Sequence, residues 1–255
     1  MRSLLITLRN VISPFVDPLQ FFRAIGALPR YLGDAMRYRR MASAEPLSRW
    51  KWHPVLGQAT ATTGFDPHYV NIGEWAMRHI AQSDAPEHID VGSQINWVTC
   101  LSCVTKVVFI DIRPLDKPFT NLESRAGSIL EMPFPDQSVS SLSSLHVAEH
   151  IGLGRYGDPL DPQGTRKAIT ELARIVAPGG KLYFGLPVGQ PRVFFNAHRV
   201  HDPEDIANWF AEEGLELIQF TGVDDSGARN DNAKPIDYKT CRYACGMYAL
   251  TRPEK

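Results

Sequence analysis

The segment Lys106–Ile112 is a near-continuous apolar run, and it constrains the fold more than any other part of the sequence. Such a run is typical of a strand buried on both faces, as in parallel sheets that are covered by helices. It belongs to an alternation of strand and helix signals that begins near residue 85. Strands joined by helical crossovers form a parallel, doubly wound sheet. The sequence therefore predicts an α/β chain.

The predicted elements follow from apolar spacing and from capping residues. Strands are predicted at 88–92, 106–112, 126–130, 139–146, 181–187, 215–221 and 242–251, and helices at 93–103, 164–176 and 203–213. Pro178-Gly179-Gly180 is a helix-end and turn signal, and Asp202 is the expected N-cap of the last helix. The polar stretch 222–239 is interpreted as a loop. We expect an N-terminal helical extension at 1–60 and the α/β domain at 61–255.

The first 40 residues differ from the rest in charge. They hold seven arginines, no lysine and two acids, which gives +5 in a chain whose net charge is -1. Prolines 14, 18 and 29 predict short helical pieces rather than one long helix. A basic and apolar arm has two interpretations, which stay open: it caps the main domain, or it lies on an anionic membrane surface.

Composition excludes several classes of protein. Four cysteines give no disulfide framework, and no stretch approaches the length of a membrane span. We therefore expect a cytoplasmic protein, with peripheral binding at the inner face of the membrane as the second interpretation. The near-neutral net charge argues against a nucleic-acid partner. The oligomeric state stays open.

Ligands of doubly wound sheets bind outside the carboxyl ends of the strands. The first strand ends in Asp90-Val-Gly92-Ser93, where a glycine lets a ligand approach the backbone. The second strand ends in Asp111, whose carboxylate can accept both hydroxyls of a ribose. A solvated acid at the strand end is the alternative for Asp111.

Two segments resemble motifs of class I S-adenosylmethionine-dependent methyltransferases. Residues 127–136 are similar to their G-D-a-x-x-L-P-F-x-D segment, and 171–180 are similar to their R-v-L-k-P-G-G turn. Within that superfamily, 109–114, 146–159 and 195–199 resemble an uncharacterised group, a domain of unknown function. The resemblance implies a Rossmann-like, seven-stranded, mostly parallel sheet and S-adenosylmethionine as cofactor. Members of the group often lie beside cell-surface polysaccharide genes, which implies a glycan-related role.

The same resemblance implies the cofactor-binding residues. They are Asp90, Gly92, Ser93, Asp111, Ile112, Ser128, Ile129 and His146. Gln94 and Asn96 replace the second and third glycines of the superfamily's D-x-G-x-G-x-G motif, so a side chain at 94 is expected to crowd the methionine moiety unless the loop runs differently. Ser128 stands where the superfamily has an acid for the adenine amino group, and serine can still accept a hydrogen bond.

Polar clusters after the fourth and fifth strands are the candidates for chemistry. Histidine is the natural base near neutral pH, and methyl transfer to oxygen needs positioning and a base. The candidate catalytic residues are His146, Glu149, His150 and His198, with Glu149 orienting an imidazole. The candidate acceptor-binding residues are Arg155, Tyr156, Asp158, Asn196 and Arg199.

No metal site is predicted. His146 and His150 are four residues apart with a glutamate between them, yet this differs from His-Glu-x-x-His and begins at a strand end. Cys100 and Cys103 are interpreted as buried core thiols.

The sequence thus predicts a methyltransferase that acts on a hydroxyl of a sugar or polysaccharide. Two alternatives stay open: a methyltransferase for another small molecule, and a catalytically silent cofactor-binding or scaffold protein in glycan assembly. A nucleotide-sugar dehydrogenase or epimerase is disfavoured by the Pro-Gly-Gly turn and the missing G-x-x-G-x-x-G and Y-x-x-x-K patterns.

Overall fold

The computed structural model describes residues 17–47, 53–83 and 85–254. The chain divides into two compact units, Met1–Gly64 and Phe65–Lys255. Within the described residues, no helix is both long enough and apolar enough to cross a bilayer.

The first unit contains one described helix, α1 (Pro18–Tyr38). Asp17 caps it by accepting hydrogen bonds from the backbone N–H groups of Leu19 (2.9 Å) and Gln20 (3.2 Å). The prediction of short pieces is wrong here, because Pro18 occupies the first turn, where no N–H is needed, and Pro29 is tolerated inside the helix. The part of the basic arm at 1–16 lies outside the described residues.

The second unit is a sheet covered by helices. Its helices are α2 (Pro67–Ala81), α3 (Ile95–Leu101), α4 (Gly164–Ile175) and α5 (Pro203–Glu212), with 3-10 turns at Ala148–His150 and Pro235–Tyr238. Its strands are β1 (Glu87–Val91), β2 (Lys106–Asp111), β3 (Leu122–Ala126), β4 (Val139–Leu145), β5 (Val176–Val188), β6 (Arg192–Phe194), β7 (His198–Val200), β8 (Glu216–Val223), β9 (Arg229–Ala233) and β10 (Ala244–Thr251).

The main sheet has the order β3-β2-β1-β4-β5-β10-β8-β9. The first five of these strands are parallel, β10 is antiparallel to both of its neighbours, and β9 is antiparallel to β8. Strands β6 and β7 form a separate hairpin. The predicted α/β class with a mostly parallel sheet is confirmed, and strand order reverses between β1 and β4.

The two faces of the sheet carry separate apolar clusters. Alternate residues of β2 point to opposite sides: Val108 and Ile110 pack with α4 and α5, while Val107 and Phe109 pack with α2 and α3. Both sets are almost completely buried. This double coverage explains why β2 has an apolar residue at nearly every position.

Several sequence expectations fail at the edges of the sheet. The sheet has eight strands instead of seven, because the expected loop 222–239 contains β9, a polar strand ordered by pairing with β8. The third strand is Leu122–Ala126 rather than 126–130; it is an exposed edge strand with little apolar signal. The helix before Pro178 ends at Ile175, and β5 begins directly after it.

The thiols of Cys100 and Cys103 are exposed, so their interpretation as core residues is wrong. Cys100 lies near the end of α3 and Cys103 just beyond it, whereas Val98 and Leu101 are the buried residues of that helix. Cys245, by contrast, is completely buried in β10.

Candidate functional site

A cleft with two lobes lies at the carboxyl ends of β1, β2 and β4. The first lobe has a volume of about 340 Å³ and is lined by Ile112, Ser128 and Ile129, among others. The second has a volume of about 400 Å³ and is lined by Tyr69, Ser93 and Gln94, among others. Both lobes share the lining residues Gly92, Asp111, Arg113, His146, His150 and Tyr156. The cleft therefore lies where the strand order reverses, as the fold rule predicts.

Gly92 forms the floor between the two lobes. Its φ is +69°, a left-handed conformation that favours glycine. A Cβ atom at this position would lie 3.0 Å from Val147 Cγ1 and 3.8 Å from Asp111 Oδ2. A side chain here would therefore be strained and would fill the floor of the cleft.

Asp111 ends β2 beside this glycine. Its Oδ1 accepts a hydrogen bond from the Arg113 N–H at 2.7 Å, which fixes the carboxylate at the start of the following turn. The side chain is half-buried and lines both lobes. It presents a carboxylate at the place where a ribose would be held in a nucleoside site.

The first lobe is a mainly apolar slot. Ile129 is buried, while Ile112 is half exposed at the rim. The backbone of Gly127 also lines this lobe and packs closely on Ile110. A Cβ atom at this position would lie 2.6 Å from Ile110 Cγ2, so only glycine allows this approach. Ser128 Oγ accepts from the Leu130 N–H at 3.1 Å, so it shapes the turn while its hydroxyl hydrogen stays available as a donor.

Asp90 and Ser93 support the cleft floor from beneath. Asp90 is completely buried and accepts from the Ser93 N–H (3.1 Å), Ser93 Oγ (2.8 Å) and Ser143 Oγ (2.5 Å). Ser93 Oγ in turn accepts from the Leu145 N–H at 3.0 Å, which connects β1 to β4. Asp90 lines neither lobe, so the structure gives it a supporting role instead of the cofactor contact expected from the sequence.

His146 and Glu149 form a buried pair after β4. Glu149 Oε1 lies 2.9 Å from His146 Nδ1, and both side chains are almost inaccessible. Burial alone would lower the pKa of His146, but Cys245 and Glu149 outweigh it and raise that pKa. Burial would likewise raise the pKa of Glu149, but the hydrogen bond and charge of His146 lower it. Glu149 is therefore ionised near neutral pH.

His150 has a defined tautomer. Its Nδ1 lies 2.5 Å from the carbonyl oxygen of Ala197, which can only accept, and 3.2 Å from Arg155 Nη1, which can only donate; the shorter contact places the proton on Nδ1. Its Nε2 is 3.8 Å from Glu149 Oε1, too far for a hydrogen bond. In the neutral ring this nitrogen keeps its lone pair, and His150 lines both lobes. Of the three candidate bases, His150 has the required free nitrogen at the cleft.

His198 and Asn196 lie on the β6–β7 hairpin. The His198 ring packs between Phe194 and Tyr243, with ring centroids 5.0 and 5.3 Å away, and burial lowers its pKa. Its Nε2 is buried without a hydrogen-bond partner. Asn196 is exposed in the turn with φ of +65°. Neither residue lines either lobe.

The loop after His150 is ordered by two of the residues predicted to bind the acceptor. Asp158 Oδ2 accepts from the Gly152 N–H at 2.6 Å, and Asp158 Oδ1 accepts from the Tyr156 N–H at 3.2 Å. Arg199 is buried and donates to the carbonyl oxygens of Ile151 (2.5 Å) and Asp161 (3.0 Å). Arg199 lines neither lobe and is a positioning group, a correction to its expected role, whereas Asp158 both orders the loop and lines the first lobe.

Tyr156 holds the two sides of the cleft together. The Arg113 guanidinium, from the turn after β2, lies 4.4 Å from the centre of its ring. The Arg155 guanidinium lies 5.2 Å from the centre of the same ring, and the His150 ring meets Tyr156 edge-on at 5.9 Å. Arg155 also donates to the Ala197 carbonyl at 3.1 Å, which brings the hairpin to the loop.

Sequence reasoning missed the residues that reach the site from distant segments. Tyr69 and His68, in the first turn of α2, lie beside His146, with ring centroids 4.9 and 5.9 Å away. Tyr243 and Cys245 approach from the other end of the chain. No spacing in the sequence connects these residues to the motifs at 90–150.

Known structures with the same fold include methyltransferases. The N-methyltransferase NodS from Bradyrhizobium japonicum WM9, solved with S-adenosyl-L-homocysteine, has a TM-score of 0.51 and 15% identity over 87% of this chain and 98% of its own. Geranyl diphosphate methyltransferase has a TM-score of 0.51 and 13% identity over 72% and 78%. The [4+2]-cyclase SpnF has a TM-score of 0.55 and 11% identity over 72% and 82%.

At these identities the likeness shows the fold alone, which is that of class I methyltransferases, and SpnF shows that this fold hosts other reactions. No curated protein matches the sequence. The match to a family extends over residues 88–240, more than half of the chain, and includes every strand that forms the cleft. The chain therefore belongs to the family described as Caenorhabditis protein of unknown function, DUF268.

Proposed function

We propose that the cleft binds S-adenosylmethionine and that the protein transfers its methyl group to a hydroxyl of a sugar or polysaccharide. The observation that carries this proposal is the pairing of Gly92 and Asp111 at the carboxyl ends of β1 and β2, next to a mainly apolar slot. The cofactor of NodS and the fold of that enzyme support the same choice of ligand.

The residues of the cleft fit the parts of this cofactor. Asp111 can accept the ribose hydroxyls, and Gly92 leaves space for the ribose and the sulfur-bearing chain. Ile112 and Ile129 offer apolar contacts for a flat purine, with Ser128 as a polar group at its edge. Gln94 lines the second lobe but is exposed, so its side chain has solvent to turn into.

His150 is the proposed general base. When bound, S-adenosylmethionine supplies an electrophilic methyl group on a sulfonium sulfur. The free Nε2 of His150 would accept the proton of the acceptor hydroxyl, while the Ala197 carbonyl holds Nδ1–H. The resulting imidazolium would be stabilised by the ionised Glu149, whose Oε1 is 3.8 Å from Nε2.

The second lobe is the proposed acceptor site. Tyr69 and Tyr156 provide partly exposed aromatic faces there, and Arg113 provides a cationic donor. Aromatic rings with polar edges suit a ligand that has both apolar faces and hydroxyl groups. This lining, together with the sequence resemblance, is what supports a sugar as acceptor.

Calorimetric titration with S-adenosylhomocysteine tests cofactor binding. Asp111→Asn keeps an acceptor for the Arg113 N–H but removes the negative charge. We expect the Kd of this variant for S-adenosylhomocysteine to be about 10- to 100-fold higher than that of the parent, equivalent to about 1.5–3 kcal/mol. Glu123→Gln, on the exposed face of β3, is the matched control and should bind like the parent. NAD should not bind. No binding of the sulfur ligand to the parent would refute the proposal and favour a silent scaffold.

Transfer of a labelled methyl group to a panel of glycans tests the chemistry. His150→Gln should bind S-adenosylhomocysteine normally but lose turnover by about 100-fold or more, because general-base catalysis contributes roughly 10²–10⁴-fold. A variant that retains full turnover would refute the role of His150. If only amine or carboxyl acceptors become labelled, the proposed hydroxyl acceptor is wrong, whereas the assignment of the cofactor stands.

We also propose that α1 lies on an anionic membrane surface. Phe22, Ile25, Leu32 and Met36 recur at helical spacing and are exposed, while Arg23, Arg30 and Arg37 recur every seven residues. Such a helix gains apolar burial and attraction to anionic lipids. Sedimentation with vesicles containing phosphatidylglycerol should fall in a Phe22→Ser/Ile25→Ser variant, but not in Val104→Ser, which removes an exposed side chain of the other unit. Equal sedimentation of all three proteins would refute this surface.

A further inference from the structure

Three ligand-forming side chains converge at the wall of the cleft. They are His68 from α2, His146 after β4 and Cys245 from β10, and all three are buried. One ligand atom from each lies within 4.8 Å of the other two. None of these residues is the base in the proposed transfer, and neither His68 nor Cys245 has a role in it.

The distances suit a tetrahedral ion. With bonds of about 2.0–2.1 Å to nitrogen and 2.3 Å to sulfur, ligand atoms on a tetrahedral zinc lie roughly 3.3–3.7 Å apart. Cys245 Sγ is 3.6 Å from His146 Nε2, which falls in that range. The other separations are at most 4.8 Å and so exceed this range by no more than about 1 Å, a shift that a side-chain rotation can supply.

The surroundings of His146 are those of a metal ligand. Metal-bound histidines usually donate their second ring N–H to a carboxylate or carbonyl, which fixes the tautomer. Here Glu149 Oε1 holds His146 Nδ1 at 2.9 Å, so Nε2 is the nitrogen directed at Cys245. Glu149 itself is 1% exposed, which keeps this orientation rigid.

We propose that His68, His146 and Cys245 bind a zinc ion with one open coordination position at the cleft. Two imidazoles and one thiolate are a donor set that zinc prefers, and three protein ligands with a fourth open position are typical of catalytic rather than structural sites. Because His146 lines both lobes, the open position is available to an oxygen of a bound molecule. The site does not depend on which cofactor the cleft binds.

Cobalt titration tests the site in full-length protein without S-adenosylmethionine. Cys100 and Cys103 are exposed, so both are first replaced by serine to remove unrelated thiols. This parent should bind one equivalent of Co²⁺ with a thiolate charge-transfer band and the visible bands of tetrahedral cobalt. Cys245→Ser should abolish the charge-transfer band, whereas Cys241→Ser, which changes the remaining other thiol, should retain it.

Two further variants keep the test decisive if Cys245→Ser misfolds. His68→Gln should weaken Zn²⁺ binding by about 100-fold or more, and Glu149→Gln by about 10- to 100-fold, as expected for a ligand and for its orienting carboxylate. Circular dichroism checks the fold of each variant. Absence of a bound equivalent in the parent, or equal Zn²⁺ affinity in the parent and in His68→Gln, would overturn the proposal. Because no methyl donor is present, either result is independent of the proposed transfer.

Discussion

A buried polar chain beneath the cleft makes stability depend on pH in two opposite ways. Ser143 Oγ donates to Asp90 Oδ2 at 2.5 Å, so it accepts from His88 Nε2–H at 2.8 Å. His88 Nδ1 then accepts from Ser141 Oγ at 2.8 Å. Burial lowers the pKa of His88 from 6.5 to about 3 and raises the pKa of Asp90 from 3.8 to about 6. At neutral pH the histidine is uncharged and the aspartate is mostly ionised.

The two shifts affect unfolding with opposite sign. Between pH 7 and pH 4.5 the unfolded chain takes up a proton at His88 that the folded protein does not, which lowers the free energy of unfolding by about 2.5 kcal/mol. Over the same interval the folded protein protonates Asp90 before the unfolded chain does, which raises the free energy of unfolding by about 2 kcal/mol. The two contributions nearly cancel in the parent.

Single substitutions should expose each contribution. Going from pH 7 to pH 4.5, His88→Gln should gain about 2.5 kcal/mol of stability relative to the parent, and Asp90→Asn should lose about 2 kcal/mol relative to it. Urea unfolding followed by circular dichroism at several pH values measures both differences. Ser141→Ala, which removes a hydrogen bond but no titrating group, is the control. The difference in free energy of unfolding between each variant and the parent should therefore change between pH 7 and pH 4.5. A change of less than about 0.5 kcal/mol for either variant would refute the corresponding pKa shift.

Three further predictions concern the cleft. Gly92→Ala should weaken S-adenosylhomocysteine binding at least tenfold in calorimetry, because a left-handed alanine is strained by about 1–2 kcal/mol and its Cβ crowds the cleft floor. Gly214, with φ of +78°, lies outside the cleft, so Gly214→Ala is the control and should bind like the parent. Arg199→Met should lower the free energy of unfolding by about 3 kcal/mol, because two buried carbonyls lose a charged donor; an unchanged urea midpoint would contradict this. Tyr156→Leu should weaken ligand binding about three- to fivefold by losing its contact with Arg113, and an unaltered Kd would exclude that contribution.

Strand β2 could be predicted because it is buried on both faces and nearly every position in it is apolar. Strands β1 and β4 are less apolar, since they bury polar side chains such as Asp90 and Ser143, but each is followed by a recognisable residue, Gly92 or His146. The edge strands β3 and β9 could not be predicted, since they are polar and mostly exposed. Strands β3 and β9 are extended because they pair with β2 and β8. This pairing is a tertiary contact that the local sequence does not encode.

The strand-end residues of the cleft were determined by the sequence itself. Asp111 ends β2, Gly92 and His146 directly follow β1 and β4, and in a parallel sheet the carboxyl ends of strands meet at one edge. Their partners were decided only by tertiary structure. Cys245 lies 99 residues from His146 along the chain, and His68 precedes β1 on a separate helix. Which side chain reaches the cleft depends on strand register, because a shift of one residue turns it to the opposite face of the sheet.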